Sequence, residues 1–229
     1  MNRIIKQDLL NYLYEYISEN KKNKIKQISA NRTPYITVVL EDIEEPKDAS
    51  AVMRTCECFG VQGISIIENS NKYRINPDVT MGASKWLDIE HYKKSDVNNT
   101  ELCINNLKEK GYKIVAMIPD KNAKSLEELK LDTKTAFMFG SEINGLTKES
   151  LTHADEKISI PMYGFTQSYN LSVSVAITVN AIIDQLIKSN LSWKICDEEL
   201  LDLQINWVKR VIKKAEMLEK NYFEKVKVF

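Results

Sequence analysis

Three polar clusters interrupt the apolar segments of this chain, and each offers groups that can bind a ligand. The first cluster, residues 41–55, combines acidic residues, a proline and Arg54. The second, residues 139–146, reads FGSEINGL, and the third, residues 160–170, reads IPMYGFTQSYN. Their hydroxyl, amide, carboxylate and guanidinium groups need partners wherever they are buried. We therefore expect the chemistry of the protein where these clusters meet.

Other familiar catalytic sites lack their sequence signatures here. The chain has no G-x-G-x-x-G turn after its first strand, no Walker A loop and no G-x-S-x-G elbow. A Rossmann-like small-molecule enzyme is disfavoured on this ground. Two histidines, His91 and His153, give little basis for a Ser-His-Asp hydrolase. Cys56 and Cys58 have no second cysteine pair or nearby histidine to complete a zinc site, so no metal is expected.

The elements that must position the clusters alternate between strands and helices. The β-branched, apolar segments predict strands, and the segments with helical spacing predict helices between them. Predicted strands lie at residues 35–43, 61–68, 112–119, 135–140 and 157–162, and predicted helices at 49–60, 100–110 and 171–191. This β-α-β order predicts an α/β domain with a parallel sheet at residues 35–190. Each cluster then follows a strand, at the edge where open α/β sheets bind ligands.

Helical segments flank this domain on both sides. Residues 1–29 are predicted as one helix and residues 197–225 as one amphipathic helix, because their apolar residues recur at intervals of three and four. The predicted organisation is thus a helical extension at 1–34, the α/β domain at 35–190 and a second helical extension at 191–229.

The overall composition indicates a soluble protein. The 229 residues carry 32 basic and 32 acidic side chains, and 43% are hydrophobic, which is enough to bury a sizeable core. We expect neither a signal peptide nor an apolar window of about eighteen residues, and hence a cytoplasmic protein without a membrane span. Because the net charge is zero, any surface that binds a nucleic acid must be locally basic.

In their order and spacing, the three clusters resemble the three motifs of the SpoU/TrmH family of RNA ribose 2′-O-methyltransferases. The first motif matches at Pro46, Asp48, Arg54 and Thr55. The second matches at Gly140, Ser141, Glu142, Gly145 and Leu146. The third matches at Ile160, Pro161, Met162, Gly164, Ser168, Asn170, Ser172, Val173 and Ala176. The resemblance covers about residues 35–190.

The resemblance implies a fold and a cofactor that the periodicity does not show. In this family the third motif threads a loop and forms a deep trefoil knot, so the expected fold is a SPOUT α/β-knot with helical extensions. The knotted loop holds S-adenosyl-L-methionine, largely through backbone groups. Mapped onto this chain, the cofactor-binding residues are Met117, Gly140, Ser141, Ile160, Met162, Tyr169 and Leu171.

The resemblance also assigns catalytic roles. Arg54 is the main catalytic residue, either as a base oriented by an RNA phosphate or as a clamp that holds the phosphate and polarises the ribose hydroxyl. Ser168 and Asn170 position Arg54 or the ribose, and Glu142 supports the cofactor loops. Asp48 stands where the family usually has Asn. We expect Asp48 to cap the following helix, to form an ion pair with Arg54, and thereby to reduce or alter catalysis.

The extensions are similar to those of family members that methylate guanosine 18 in the D-loop of tRNA. Alternatives are another tRNA position, ribosomal RNA, or a knotted RNA-binding protein with weakened catalysis. The family also implies a homodimer formed through the knot helices. Candidate RNA-binding residues are Lys21, Lys22, Lys24, Arg32, Arg74 and Lys85, with Lys209, Arg210, Lys213 and Lys214 on the last helix.

Overall fold

A computed structural model describes residues 1–226, which divide into two compact units. One unit is Thr33–Trp193, and the other combines Met1–Arg32 with the described residues from Lys194 onward. The two predicted extensions, 1–34 and 191–229, therefore contribute to one unit. Residues 227–229 of the second extension lie outside the described residues.

Within residues 1–226, seven strands form one sheet in which every neighbouring pair is parallel. The strands are β1 (Thr33–Glu41), β2 (Val61–Ile67), β3 (Asp88–Tyr92), β4 (Lys113–Met117), β5 (Lys124–Ser125), β6 (Thr135–Phe139) and β7 (Glu156–Ser159). Their order across the sheet is β3-β2-β1-β6-β4-β7-β5. The predicted parallel α/β fold is confirmed, and the knot stays a prediction.

Nine α-helices and two short 3₁₀ helices accompany these strands in the described part of the chain. The α-helices are α1 (Arg3–Tyr14), α2 (Glu19–Ser29), α3 (Pro46–Cys58), α4 (Pro77–Thr80), α5 (Asn99–Glu109), α6 (Lys148–His153), α7 (Leu171–Lys188), α8 (Asp197–Val211) and α9 (Ala215–Val226). The 3₁₀ helices are Ala83–Trp86 and Leu126–Glu128.

The central strand β1 is apolar along its length because both faces of the sheet are covered. Val38 and Leu40 pack in a core that also contains residues of α3 and α7. Val39, between them, packs in a second core with residues of α5. Alternate side chains of a strand point to opposite faces, so a strand buried on both faces shows no polar alternation.

Two strands were absent from the sequence prediction, and both lie at the edges of the sheet. Strand β3 has the sequence DIEHY, and only its last residue, Tyr92, is buried. Strand β5 contains two residues. An edge strand has one neighbour and needs less apolar surface, so its sequence carries little strand signal.

Helix α7 presents a regular apolar stripe to the interior of its unit. Leu171, Val175, Val179, Ile182 and Leu186 are all buried, as the spacing of an amphipathic core helix requires. By length and composition alone this helix also qualifies as a candidate membrane span. The expectation that no such apolar window exists was therefore wrong, although core helices of soluble proteins meet the same criterion.

Each predicted terminal helix is in fact a pair of helices. Between α1 and α2, the Ser18 side chain accepts a hydrogen bond from the Lys21 N–H and caps α2. Such caps start a new helix even where the apolar spacing continues. Between α8 and α9, Lys214 has a φ of 63°, which a continuous right-handed helix does not allow.

Arg32 was predicted to bind RNA, and the structure places it in the interior of its unit. Its relative exposure is 1%, and its guanidinium lies 5.4 Å from the ring centroid of Trp207, which is also buried. This arrangement is a buried cation–π contact. Arg32 is therefore a structural residue, and the assignment to RNA was wrong.

Candidate functional site

A cavity of about 570 Å³ lies in the larger unit, at the carboxyl ends of β4, β6 and β7. Its wall contains all the residues predicted to bind the cofactor: Met117, Gly140, Ser141, Ile160, Met162, Tyr169 and Leu171. Glu142, Ser168 and Asn170 also line it, whereas Asp48 and Arg54 do not. The second and third sequence clusters therefore meet in one cavity, and the first lies outside its wall.

One wall of the cavity is the loop at residues 140–146, which is held in a tight turn. The Gly145 N–H donates to the Ser141 carbonyl over 2.9 Å, and the Asn144 N–H donates to the Ser141 hydroxyl over 3.0 Å. Gly145 has a φ of 66°, a conformation that glycine adopts readily. A Cβ built on Gly140 would lie 2.1 Å from the Gly145 carbonyl carbon, so these two backbone segments touch.

The opposite wall is the loop at residues 160–170, which ends by capping α7. The Tyr169 hydroxyl donates to the Pro161 carbonyl over 3.2 Å and closes this loop on itself. Asn170 is the N-cap residue, and its side-chain oxygen accepts from the N–H groups of Ser172 and Val173. The cap leaves the Asn170 amide group free to donate elsewhere.

That amide group links the third cluster to the first. Asn170 Nδ2 donates to Asp48 Oδ1 over 3.0 Å. Helix α3 begins at Pro46 with Glu45 in the cap position, so Asp48 lies in the first turn and does not cap the helix as expected. A carboxylate is still favourable there because it faces the positive end of the helix dipole.

The expected ion pair between Asp48 and Arg54 is absent from the described residues. The two residues are six positions apart on α3, about 1.7 turns, so their side chains leave different sides of the helix. Arg54 is exposed, and no hydrogen bond or ion pair to its guanidinium occurs within residues 1–226. Its guanidinium is therefore available to an external anion.

The rim between the cavity and α3 is acidic. Partial burial raises the pKa of the Glu142 carboxyl, and the nearby charges of Asp48 and Glu44 raise it further. Hydrogen bonds from the backbone of Glu142 and Glu44 lower this pKa, but the net shift is upward. Mutual repulsion among these carboxylates is relieved by a positive charge. The rim thus favours a cationic group in the ligand.

The remaining candidate RNA-binding residues divide between the two units. Lys22 forms an ion pair with Glu19, and Lys85 lies 5.7 Å from the ring centroid of Trp86. Lys24 and Arg74 are exposed, and Lys21 is half-buried. Arg74 and Lys85 belong to the larger unit, and the lysines of α2 to the smaller one. Their role in RNA binding stays a prediction.

Sequence reasoning missed several residues that complete the cavity. They are Ile118, Pro119, Leu151 and Ser174. The other lining residues without an assigned role lie within the second and third predicted clusters: Phe139, Ile143, Asn144, Gly145, Leu146 and Gln167. Ile118 and Pro119 follow Met117, and Ser174 follows Val173, so adjacency to a predicted position was the available signal. Leu151 carried no such signal because it reaches the cavity from α6. Among the described residues, no group of three or more His, Cys, Asp or Glu side chains could hold a metal ion.

Comparison with known proteins places this architecture among RNA methylases. The sequence profile of the SpoU rRNA methylase family matches residues 35–180. A tRNA (guanosine(18)-2′-O)-methyltransferase of Borreliella burgdorferi is 40% identical over 207 residues, which are 90% of this chain and 93% of that protein.

Solved structures share the fold. The Aquifex aeolicus TrmH/SpoU tRNA modifying enzyme superposes with a TM-score of 0.76 at 27% identity, over 86% of this chain and 98% of that one. The SpoU methyltransferase AviRb of Streptomyces viridochromogenes, solved in complex with AdoMet, superposes with a TM-score of 0.59 at 17% identity. The match covers 69% of this chain and 63% of that one.

The contact between Gly140 and Gly145 generates a stability prediction. Gly140→Ala forces the new methyl group against backbone atoms, so we expect the free energy of unfolding to fall by about 1–3 kcal/mol. Gly164→Ala is the matched control, because a Cβ there meets nothing within 4 Å and the change should stay within about 0.5 kcal/mol. Urea denaturation of both variants measures the difference, and equal stabilities would contradict the close contact.

Proposed function

This chain belongs to the SpoU rRNA methylase family, and on that premise we propose that it methylates a ribose 2′-OH of tRNA with S-adenosyl-L-methionine. The proposed acceptor is guanosine 18 of the D-loop, the position in the name of the relative that is 40% identical over nearly the whole of both chains. The proposal includes a cytoplasmic location, where the protein would meet its tRNA.

The observation that carries this proposal is the single cavity shared by the second and third motif loops. Its volume of about 570 Å³ is within the range of small-molecule sites, roughly 300–1,000 Å³. The wall combines apolar side chains, such as Met117 and Leu171, with polar groups of Ser141 and Asn170. This mixture suits an adenosine with an amino-acid arm. The acidic rim suits its sulfonium, which supplies the methyl group when the cofactor is bound.

Arg54 has the properties of a phosphate clamp. It lies on α3 outside the cavity wall. The Asp48 carboxylate, on the same helix, accepts a hydrogen bond from Asn170. A guanidinium is ordinarily protonated, so an exposed one without a carboxylate partner binds phosphate readily. In this role Arg54 holds the RNA backbone and polarises the ribose hydroxyl, while Asn170 keeps the start of α7 against α3.

The test of the proposed function is transfer of a labelled methyl group. The purified full chain is incubated with labelled S-adenosylmethionine and an unmodified tRNA transcript, and 2′-O-methyl groups are mapped. We expect label at guanosine 18 and its loss in a transcript with adenosine at that position. Label at another tRNA position or in ribosomal RNA would redirect the substrate assignment. Cofactor binding without transfer would favour a knotted RNA-binding protein with weakened catalysis.

Because Arg54 lies outside the cavity wall, its substitution should lower the rate of methyl transfer without weakening cofactor binding. Arg54→Ala should lower kcat by about 10²–10³-fold, as the loss of a donor to the transition state does, and should leave the Kd for S-adenosylmethionine within about twofold. Steady-state kinetics and calorimetry measure the two quantities. Arg3→Ala is the control, because Arg3 is an exposed arginine of the smaller unit paired with Asp197. An unchanged kcat in Arg54→Ala would exclude a catalytic role.

We also propose a homodimer formed through α7 and the preceding loop. Five large apolar side chains on these elements are exposed in the single chain: Tyr163, Phe165, Tyr169, Val173 and Ile187. Exposed apolar side chains favour association where a partner can cover them. A second copy of this chain is the proposed partner.

Light scattering of the purified chain should give about twice the 26.4 kDa mass of one chain. Ile187→Glu should shift the mass toward that of the monomer, because it buries a charge in the proposed interface. Met81→Glu is the matched control, since Met81 is equally exposed but lies outside these elements. A monomeric wild type at micromolar concentration would refute the dimer.

A further inference from the structure

The buried carboxylate of Glu41, at the end of β1, contacts the residue that follows the 140–146 loop of the cavity wall. Glu41 has no exposed surface. Its Oε2 accepts from the Thr147 N–H over 2.9 Å. Its Oε1 accepts from the hydroxyls of Thr100, Thr147 and Ser150 over 2.6, 2.9 and 2.8 Å. Thr147 directly follows the loop at residues 140–146, so Glu41 holds the chain where this loop ends.

The other end of the same loop is attached to the neighbouring residue of β1. Strand β6 ends at Phe139, which is paired with Leu40. The loop at residues 140–146 therefore begins beside Leu40 and ends beside Glu41. Because the backbones of Gly140 and Gly145 touch inside the loop, displacement of either end must move the cavity wall.

We propose that Glu41 is a positioning residue that sets the shape of the cofactor cavity by fixing the end of the 140–146 loop. The identity of the ligand rests on the proposed function, whereas the attachment of the loop does not. Glu41 lies outside the cavity wall, so it acts through Thr147 and the loop. A cavity whose loops are fixed in advance binds its ligand without the cost of ordering them.

Glutamine cannot reproduce these contacts, although it has the same shape. The Thr147 hydroxyl already accepts from the Ser150 N–H, and the Thr100 hydroxyl accepts from the Asn69 amide. Glu41 Oε1 is the nearest acceptor for the proton of each hydroxyl, at 2.9 Å from Thr147 Oγ1 and 2.6 Å from Thr100 Oγ1. If the amide nitrogen of a glutamine took the place of Oε2, it would face the Thr147 N–H. If it took the place of Oε1, it would face the hydroxyls that now donate there. A buried donor without an acceptor is strongly unfavourable.

The adjacent residue, Asp42, provides a matched control. Its Oδ1 accepts from the N–H groups of Asn69, Ser70 and Asn71 over 2.7, 2.8 and 3.3 Å. Asp42 thus holds the segment after β2, and within residues 1–226 it makes no hydrogen bond to the 140–146 loop. Asp42→Asn removes the same charge at the same strand end while leaving the anchor of the loop intact.

The experiment compares Glu41→Gln with Asp42→Asn in the full chain. Calorimetry without RNA should show the Kd for S-adenosylmethionine raised about tenfold or more in Glu41→Gln, and within about twofold of wild type in Asp42→Asn. Amide hydrogen exchange of the ligand-free proteins should become about tenfold faster at residues 140–147 in Glu41→Gln alone. Strands β1 and β6 should stay protected.

Ser150→Ala is the second variant, for use if Glu41→Gln does not fold. It removes one of the four hydrogen bonds and should raise the Kd by about two- to fivefold with faster local exchange. Unchanged exchange at 140–147 and unchanged Kd in either variant would overturn the proposal, as would an equal rise in Asp42→Asn. If the wild type binds no S-adenosylmethionine, the proposed function fails, and the exchange measurement alone decides the role of Glu41.

Discussion

The parallel pairing of β1 with β6 is the constraint on which the rest of the larger unit depends. In a parallel sheet all carboxyl ends meet at one edge, and the strand order β1-β6-β4-β7 puts four chain exits side by side there. The first polar cluster leaves β1, the second leaves β6, Met117 ends β4, and the third cluster leaves β7. The pairing of Leu40 with Phe139 then sets the position along β1 at which the second loop begins.

The site has two parts with opposite electrostatic character. The cavity between the second and third loops has an acidic rim formed by Glu142, Asp48 and Glu44. Arg54, on α3, has its guanidinium exposed and lies outside the cavity wall. The hydrogen bond from Asn170 to Asp48 joins the parts, and it also keeps the Asp48 carboxylate engaged away from Arg54. A cationic group and an anionic group are thus attracted to different parts of the site.

Local patterns failed where tertiary contacts outweighed them. Arg32 looks like one member of a basic segment, yet Trp207, far along the chain, gives its guanidinium a buried partner. Strand β3 has a polar sequence and forms because β2 offers it a parallel edge. The terminal helices were each predicted as one because apolar spacing continues through Ser18 and Lys214, where a side-chain cap and a positive φ end the helix.

The sequence alone determined the alternation of buried strands and helices, because strands covered on both faces must be apolar throughout. Through the resemblance of its three motifs to the SpoU/TrmH family, it also indicated residues that line the cavity. Only the tertiary structure decided which of these groups meet. The partner of Asp48 is 122 positions away in Asn170, and Glu41 reaches Thr147 across 106 positions. Neither pairing leaves a local pattern, because both depend on which strands lie side by side in the sheet.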